Sequence, residues 1–177
     1  MSYGLIDVYV LAPKRAPEAV FQLLEAVMPN HVSAQAEFVI DDHASGLTTF
    51  ESAREAVEFS ARNECVEVRF YFQNKEQTEP RNGMAFFTRD GGLILGISIS
   101  GSGLDLHREE HELCNWLERL GSLTGAKLGY ALLESPPPCD TIGEFVNHAT
   151  TSCLPMLLDG KLVRPKPGQY YGPLLIR

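Results

Sequence analysis

Met84-Ala85-Phe86-Phe87-Thr88-Arg89-Asp90-Gly91-Gly92-Leu93-Ile94-Leu95-Gly96-Ile97-Ser98-Ile99 is the stretch that decides the fold. Two runs of strand-forming residues flank Asp90-Gly91-Gly92, and an Asp-Gly pair accepts the positive φ that a tight hairpin needs. The residues before it supply a third strand. Val66, Val68, Phe70 and Phe72 alternate there with Cys65, Glu67, Arg69 and Tyr71, which gives one buried and one mixed face. A polar turn from Asn74 to Asn82 joins this strand to the hairpin. Three consecutive antiparallel strands form the structural centre.

Toward the N-terminus, residues 4–11 read as a first strand. Pro17 suits the first turn of a helix, and Val20, Leu23, Leu24 and Val27 form one buried stripe that stops near Pro29. Residues 32–40 read as a weaker strand, and Asp41 to Gly46 as a loop. Thr48 and Glu51 have capping-box spacing, so a second helix is expected with Phe50, Ala53, Val57 and Ala61 facing inward.

Toward the C-terminus, Ser100 to Gly103 break the pattern and Asp105 starts a third helix. Leu106, Leu113, Trp116, Leu117 and Leu120 share one of its sides, and Gly121 or Gly125 supplies its cap. Lys127 to Glu134 read as a strand closed by three prolines, and Thr141 with Glu144 opens a short helix. The tail from about 154 is expected to be irregular, with Leu174-Leu175-Ile176 docking on the sheet. The order β-α-β-α-β-β-β-α-β-α defines an α+β class, with a mixed or mainly antiparallel sheet and helices packed on it. With no linker or repeat, residues 1–177 read as a single domain.

Composition agrees. A chain of 177 residues with 44% hydrophobic and 21% charged residues matches a globular protein, not a disordered or fibrous one. It buries roughly two thirds of its unfolded surface, enough for a core without staples. No window reaches the length of a membrane span, and the opening residues lack a basic, then apolar leader, so a cytoplasmic location is expected. A net charge of −8 repels a phosphate backbone and attracts basic partners, so the expected partner is a basic protein rather than nucleic acid or membrane. A homo-oligomer stays open. Cys65, Cys114, Cys139 and Cys153 never form a C-x-x-C pair and are expected as free thiols.

Chemistry-bearing patterns are sparse. His107-Arg108-Glu109-Glu110-His111 fits the H-x-x-E-H pattern of inverted zinc peptidases, with Cys114 on the same flank as a further soft ligand. The pattern covers five residues, sits in a first helical turn and turns His111 away from the Trp116 face. Solvated side chains are the plainer reading, and no cofactor is expected. Cys139 and His148, with Asp140 alongside, are the candidate nucleophile and base, because a cysteine near a helix start favours the thiolate. Gly101 and Gly103 lack the third glycine of a dinucleotide loop, and Ser98 lacks the glycine of a hydrolase elbow.

The segment Phe86 to Ser98 resembles the strand-turn-strand hairpin of small bacterial immunity proteins of polymorphic toxin systems. Gly129-Tyr130-Ala131-Leu132-Leu133-Glu134-Ser135-Pro136-Pro137-Pro138 is similar to a strand-to-proline ending in some of them. Together the segments cover about 25 residues. The resemblance implies a protein that binds a cognate toxin domain and blocks it without chemistry. Asp41, Asp42, Glu109, Glu110 and Glu112 are the candidate partner-binding acids, placed to steer a basic cleft. A small metal- or cysteine-dependent hydrolase is the alternative.

Overall fold

The computed structural model describes residues 4–35, 37–42, 46–76, 78–101, 106–133, 140–151 and 155–164. Among them run β1 (Leu5–Leu11), α1 (Pro17–Val27), β2 (His31–Ser33), β3 (Phe38–Asp42), β4 (Gly46–Phe50), α2 (Ala53–Arg62) and β5 (Val68–Asn74). The order continues with β6 (Asn82–Phe87), β7 (Leu93–Ser100), α3 (Leu106–Thr124), β8 (Gly129–Leu133), α4 (Ile142–Thr151), β9 (Met156–Leu158) and β10 (Lys161–Val163). Eight strands make one sheet in the order β10-β9-β8-β1-β7-β6-β5-β2, while β3 and β4 pair by themselves. Every neighbouring pair is antiparallel. The α+β class holds, and β5-β6-β7 form the consecutive centre that the hairpin signal required.

The decisive turn closes as its chemistry dictates. Gly91 has φ of +84°, which an L side chain resists. Thr88 Oγ1 donates to Asp90 Oδ1 at 2.6 Å and accepts from the Gly92 N–H at 2.8 Å. Arg15 then ties this turn to α2. Its guanidinium donates to the main-chain carbonyls of Thr88 and Gly92 on one side, and to those of Ser60, Asn63 and Val66 on the other, at 2.7–3.0 Å. The Phe87 ring lies 4.8 Å beneath it.

Strand alternation divides the sheet into two faces. One carries Ile6, Val8, Phe70, Phe72, Ala85, Phe87, Leu95 and Ile97 against α1, α2 and α3. The stripe Val20, Leu23, Leu24 and Val27 is buried there, as are Leu113, Trp116, Leu117 and Leu120. The other face carries Tyr9, Met84, Phe86, Ile94, Tyr130 and Met156, with Phe145 and Ala149 of α4 as their cover. Among the described residues three helices lie on one side and a single short one on the other, and both faces bury their large side chains.

Three expectations are corrected. Asp41 and Asp42 lie in β3 rather than a loop, and Thr48 pairs with Ile40 in β4 rather than capping a helix. Burial of Phe38 and Ile40 against the core, with Phe38 opposite Phe50, outweighs a local capping signal. Helix α2 starts later, behind Ser52, whose side chain makes no capping bond. Phe50 still reaches that helix, from β4, with its ring 5.0 Å from Phe59. The tail is not irregular from 154: β9 and β10 form a hairpin on the sheet edge, turned at Asp159 (φ +50°) and Gly160 (φ +73°). Residues 165–177, including Leu174-Leu175-Ile176, lie outside the described residues.

Candidate binding groove on the open face of the sheet

Register places the side chains of the second face in rows across β1, β7, β6 and β5. Asp7, Ser98, Asn82 and Gln73 are successive cross-strand partners and form a polar row. The next row is Tyr9, Gly96, Met84 and Tyr71, and the third is Leu11, Ile94, Phe86 and Arg69. Helix α4 starts at the third-row end, beside the β6–β7 turn, and runs over Tyr130, the partner of Tyr9 in the second row. Phe145 packs on Tyr130 at 4.7 Å between ring centroids, and Asp90 holds the helix start by accepting the Ile142 N–H at 2.9 Å. The first two rows border a groove of about 510 Å³, with Tyr71 exposed at its rim and Asp7, Ser98, Tyr9 and Met84 buried.

The floor of this groove is built by pairs that the strand register creates. Ser98 Oγ donates to Asp7 Oδ1 at 2.6 Å, joining residues 91 positions apart. Asp7 is 9% exposed and Ser98 is buried. Tyr9 lies across Gly96, where a Cβ would stand 2.5 Å from the Tyr9 Cδ1. The Tyr9 hydroxyl reaches Met84 Sδ at 3.6 Å. Tyr71, 37% exposed, rises on the β5 side and meets Phe86 edge-on at 5.6 Å. Among the described residues, ion pairs of Arg69 with Asp140 at 3.2 Å and of Arg81 with Glu79 at 3.1 Å flank the site.

The partner-binding acids proposed from sequence do not meet at this groove. Asp41 is exposed on the outer side of β3, opposite Leu47. Val39 and Leu47 project from that same side at 58% and 74% exposure. Asp42 ends β3, with its side chain outside the described residues. Glu109, Glu110 and Glu112 are half-buried on α3, which packs over β1, β8, β9 and β10, whereas the β3–β4 hairpin packs on α2. The two acidic clusters sit over opposite halves of the sheet.

The metal and nucleophile candidates are likewise dispersed. His111 is exposed and its Nδ1 lies 3.1 Å from Asn115 Nδ2, while Cys114 is buried. Burial pushes the Cys114 thiol pKa up, with Glu110 and Glu118 adding to it and Arg164 opposing. The His107 side chain lies outside the described residues. Among the described residues no group of three His, Cys, Asp or Glu could hold a metal ion. His148 stacks on Tyr130 at 5.3 Å, and Asp140 pairs with Arg69. Cys139 and Cys153 lie outside the described residues, and Cys65 is exposed and free. No described helix is long and apolar enough to cross a membrane.

Asp7 and Ser98 escaped the sequence reading. Their signal is an isolated polar residue inside each of two apolar strands, Leu5-Ile6-Asp7-Val8-Tyr9 and Leu95-Gly96-Ile97-Ser98-Ile99. A single buried polar group needs a partner, so two such strands point to each other.

No family model matches the chain, and no curated protein sequence matches it. Among solved structures it is similar to a chain of the Pseudomonas aeruginosa complex between the toxic C-terminal tip of CdiA and an immune protein. The TM-score is 0.44 at 14% identity, over 75% of this chain and 88% of that one. It is also similar to a Pseudomonas aeruginosa T6SS protein, with a TM-score of 0.36 at 12% identity, over 75% of this chain and 42% of that one.

Proposed function

We propose that the chain is a non-enzymatic protein-binding protein, in its sharpest form a cytoplasmic immunity protein that occupies a basic toxin domain. The observation that carries the reading is the groove on the second face of the sheet, with Tyr71 exposed at its rim. A sheet face with exposed Tyr71 above buried Met84 offers the aromatic and methionine surface that protein interfaces favour. The charge of −8 supplies attraction for a basic partner. Asp41 beside exposed Val39 and Leu47 adds an apolar patch with an acidic neighbour. In this reading Asp41, Asp42, Glu109, Glu110 and Glu112 steer the encounter, and the apolar residues hold the complex.

Affinity capture from lysate of the source cells tests it. The expected result is one stoichiometric basic protein that salt weakens and that Tyr71→Glu loses. A capture that ignores both salt and Tyr71→Glu would sink the reading.

A further inference from the structure

We propose that the outer side of the β3–β4 hairpin docks an extended, basic segment of the partner, which lays apolar side chains on Val39 and Leu47 and sets an arginine or lysine beside Glu37 and Glu51. The proposal rests on the partner-binding reading above and gives it a place and a contact chemistry. Among the described residues Leu47 at 74% and Val39 at 58% are the two most exposed large hydrophobic side chains. They stand on one side of one hairpin: Val39 faces Thr49, Asp41 faces Leu47, and Phe38 and Ile40 are the buried alternates. Such a diagonal pair lies about 7–8 Å apart, close enough for one ligand to cover both. Helix α2 packs on the inner side, with the Phe59 ring 5.0 Å from Phe50, whereas residues 39, 41, 47 and 49 of the outer side are all exposed. Surface apolar residues gathered in this way mark an interaction site more often than a solvated strand.

Charge selects the occupant. Glu37 stands directly before β3 and Glu51 directly after β4, both exposed, at the end of the hairpin away from its turn. No lysine or arginine occurs between Arg15 and Arg54, and Arg54 is turned to α1, 4.2 Å over the Phe21 ring. A second copy of this chain would set the acids of one hairpin against those of the other, and an anionic ligand would meet the same repulsion. Rows along the hairpin are two residues apart, about 7 Å, which is also the repeat of alternate side chains in an extended chain. A segment patterned cation-x-apolar-x-apolar therefore meets Glu37 and Glu51, then Val39, then Leu47 in order. Ala34, which lines the groove, precedes β3 in the chain, and Phe38 packs on Phe70 of β5 at 5.5 Å. Hairpin and groove thus both adjoin β5, and one partner can reach Tyr71 and the hairpin together.

The test is a titration of the 15N-labelled chain with acetyl-Arg-Ser-Leu-Ser-Leu-amide, against peptides in which glutamate replaces the arginine or serine replaces both leucines. Saturable shifts are expected at residues 37–41 and 47–51 with the first peptide alone. The pair Val39→Thr with Leu47→Thr, which keeps strand-forming residues at exposed positions, lowers that affinity about tenfold. The pair Glu37→Gln with Glu51→Gln lowers it about threefold at low salt, and high salt removes the difference. The variants' own spectra report that they are folded. Equal binding of the glutamate peptide, shifts centred on the groove or on α3, or indifference to the threonine pair each overturn the proposal. A dimer of the free chain that the threonine pair dissociates, read by sedimentation, overturns it in favour of a second copy. Because the probe is a peptide, the two readings fail separately. Partner capture that persists in the threonine pair overturns the hairpin assignment and leaves partner binding standing. Hairpin shifts with the arginine peptide in a chain that captures no protein support the docking surface and remove the partner reading.

Discussion

Arg15 gathers more of the chain's irregular backbone than any other described side chain, and it does so without a carboxylate. Five carbonyls from the end of α2, the following turn and the β6–β7 hairpin accept its protons. Burial lowers its pKa, while Glu64, Cys65 and Asp90 pull it back up, and a guanidinium stays charged across the physiological range. Arg15→Met removes the side-chain donor from all five carbonyls, of which those of Asn63, Thr88 and Gly92 keep a backbone N–H, and is expected to destabilise the fold by about 3 kcal/mol, read from a urea midpoint. Arg15→Lys should recover only part, since an ammonium has three donors and no fork. Gly96→Ala should cost about 1–3 kcal/mol in the same assay, because the new methyl drives Tyr9 off the sheet. Cys114 carries a pH signature. Its raised thiol pKa means that the fold favours the protonated form, so this contribution is complete below the unfolded thiol value of about 8.5 and is lost as pH rises through the folded one. Alkylation at pH 8 with peptide mapping should therefore label Cys65 quickly and Cys114 only on unfolding. Arg15 was hidden in sequence because its partners are main-chain groups 45 to 77 positions away. No residue-type pattern encodes those.

At the scale of elements, two capping boxes of the same spelling had opposite fates. Thr141 and Glu144 form theirs, with the Thr141 N–H to Glu144 Oε2 at 3.2 Å and the Glu144 N–H to Thr141 Oγ1 at 3.1 Å. Thr48 and Glu51 do not, because β4 is recruited by pairing with β3. The first box has no competing strand partner; the second does, and pairing over distance is what local spacing leaves unstated. The Asp-Gly signal occurs twice and was read once. At 90–91 it gave the central hairpin; at 159–160 it stands between Met156-Leu157-Leu158 and Lys161-Leu162-Val163, where the Pro and Gly content of the following residues masked it. Helix α4 also borrows a cap. Asp90 accepts the Ile142 N–H through both carboxylate oxygens, so the hairpin turn holds the helix start. Asp90→Ala is expected to weaken α4 by about 1 kcal/mol. Amide hydrogen exchange should show faster exchange at residues 142–149 with the β1–β7 amides unchanged; uniform acceleration would place Asp90 in global stability instead.

At the scale of the molecule, the fold class was legible because alternation and helical stripes sort residues to faces without reference to partners. The groove was not, since it exists only once β1 lies beside β7 and brings Asp7 to Ser98. The acidic residues were legible as charges but not as places: hairpin and α3 sit over opposite halves of the sheet. That separation makes a distinguishable prediction. Asp41→Lys and the pair Glu109→Lys with Glu110→Lys should each slow association with the captured partner and flatten its salt dependence, read by stopped-flow, with dissociation nearly unchanged. A cluster whose reversal alters neither rate lies off the encounter path.

The position of β1 has a consequence for synthesis. Of the described strands β1 is made before the others, yet its two neighbours are β7 and β8, whose residues begin at 93 and 129. At about 5–20 residues per second, several seconds pass on the ribosome before Leu5–Leu11 finds either partner. Through that interval an apolar segment with two open edges is exposed to the cell, so the nascent chain is a natural client for holding chaperones. Slowing translation between the codons for residues 12 and 93 should lower the soluble yield while leaving the stability of the finished molecule untouched.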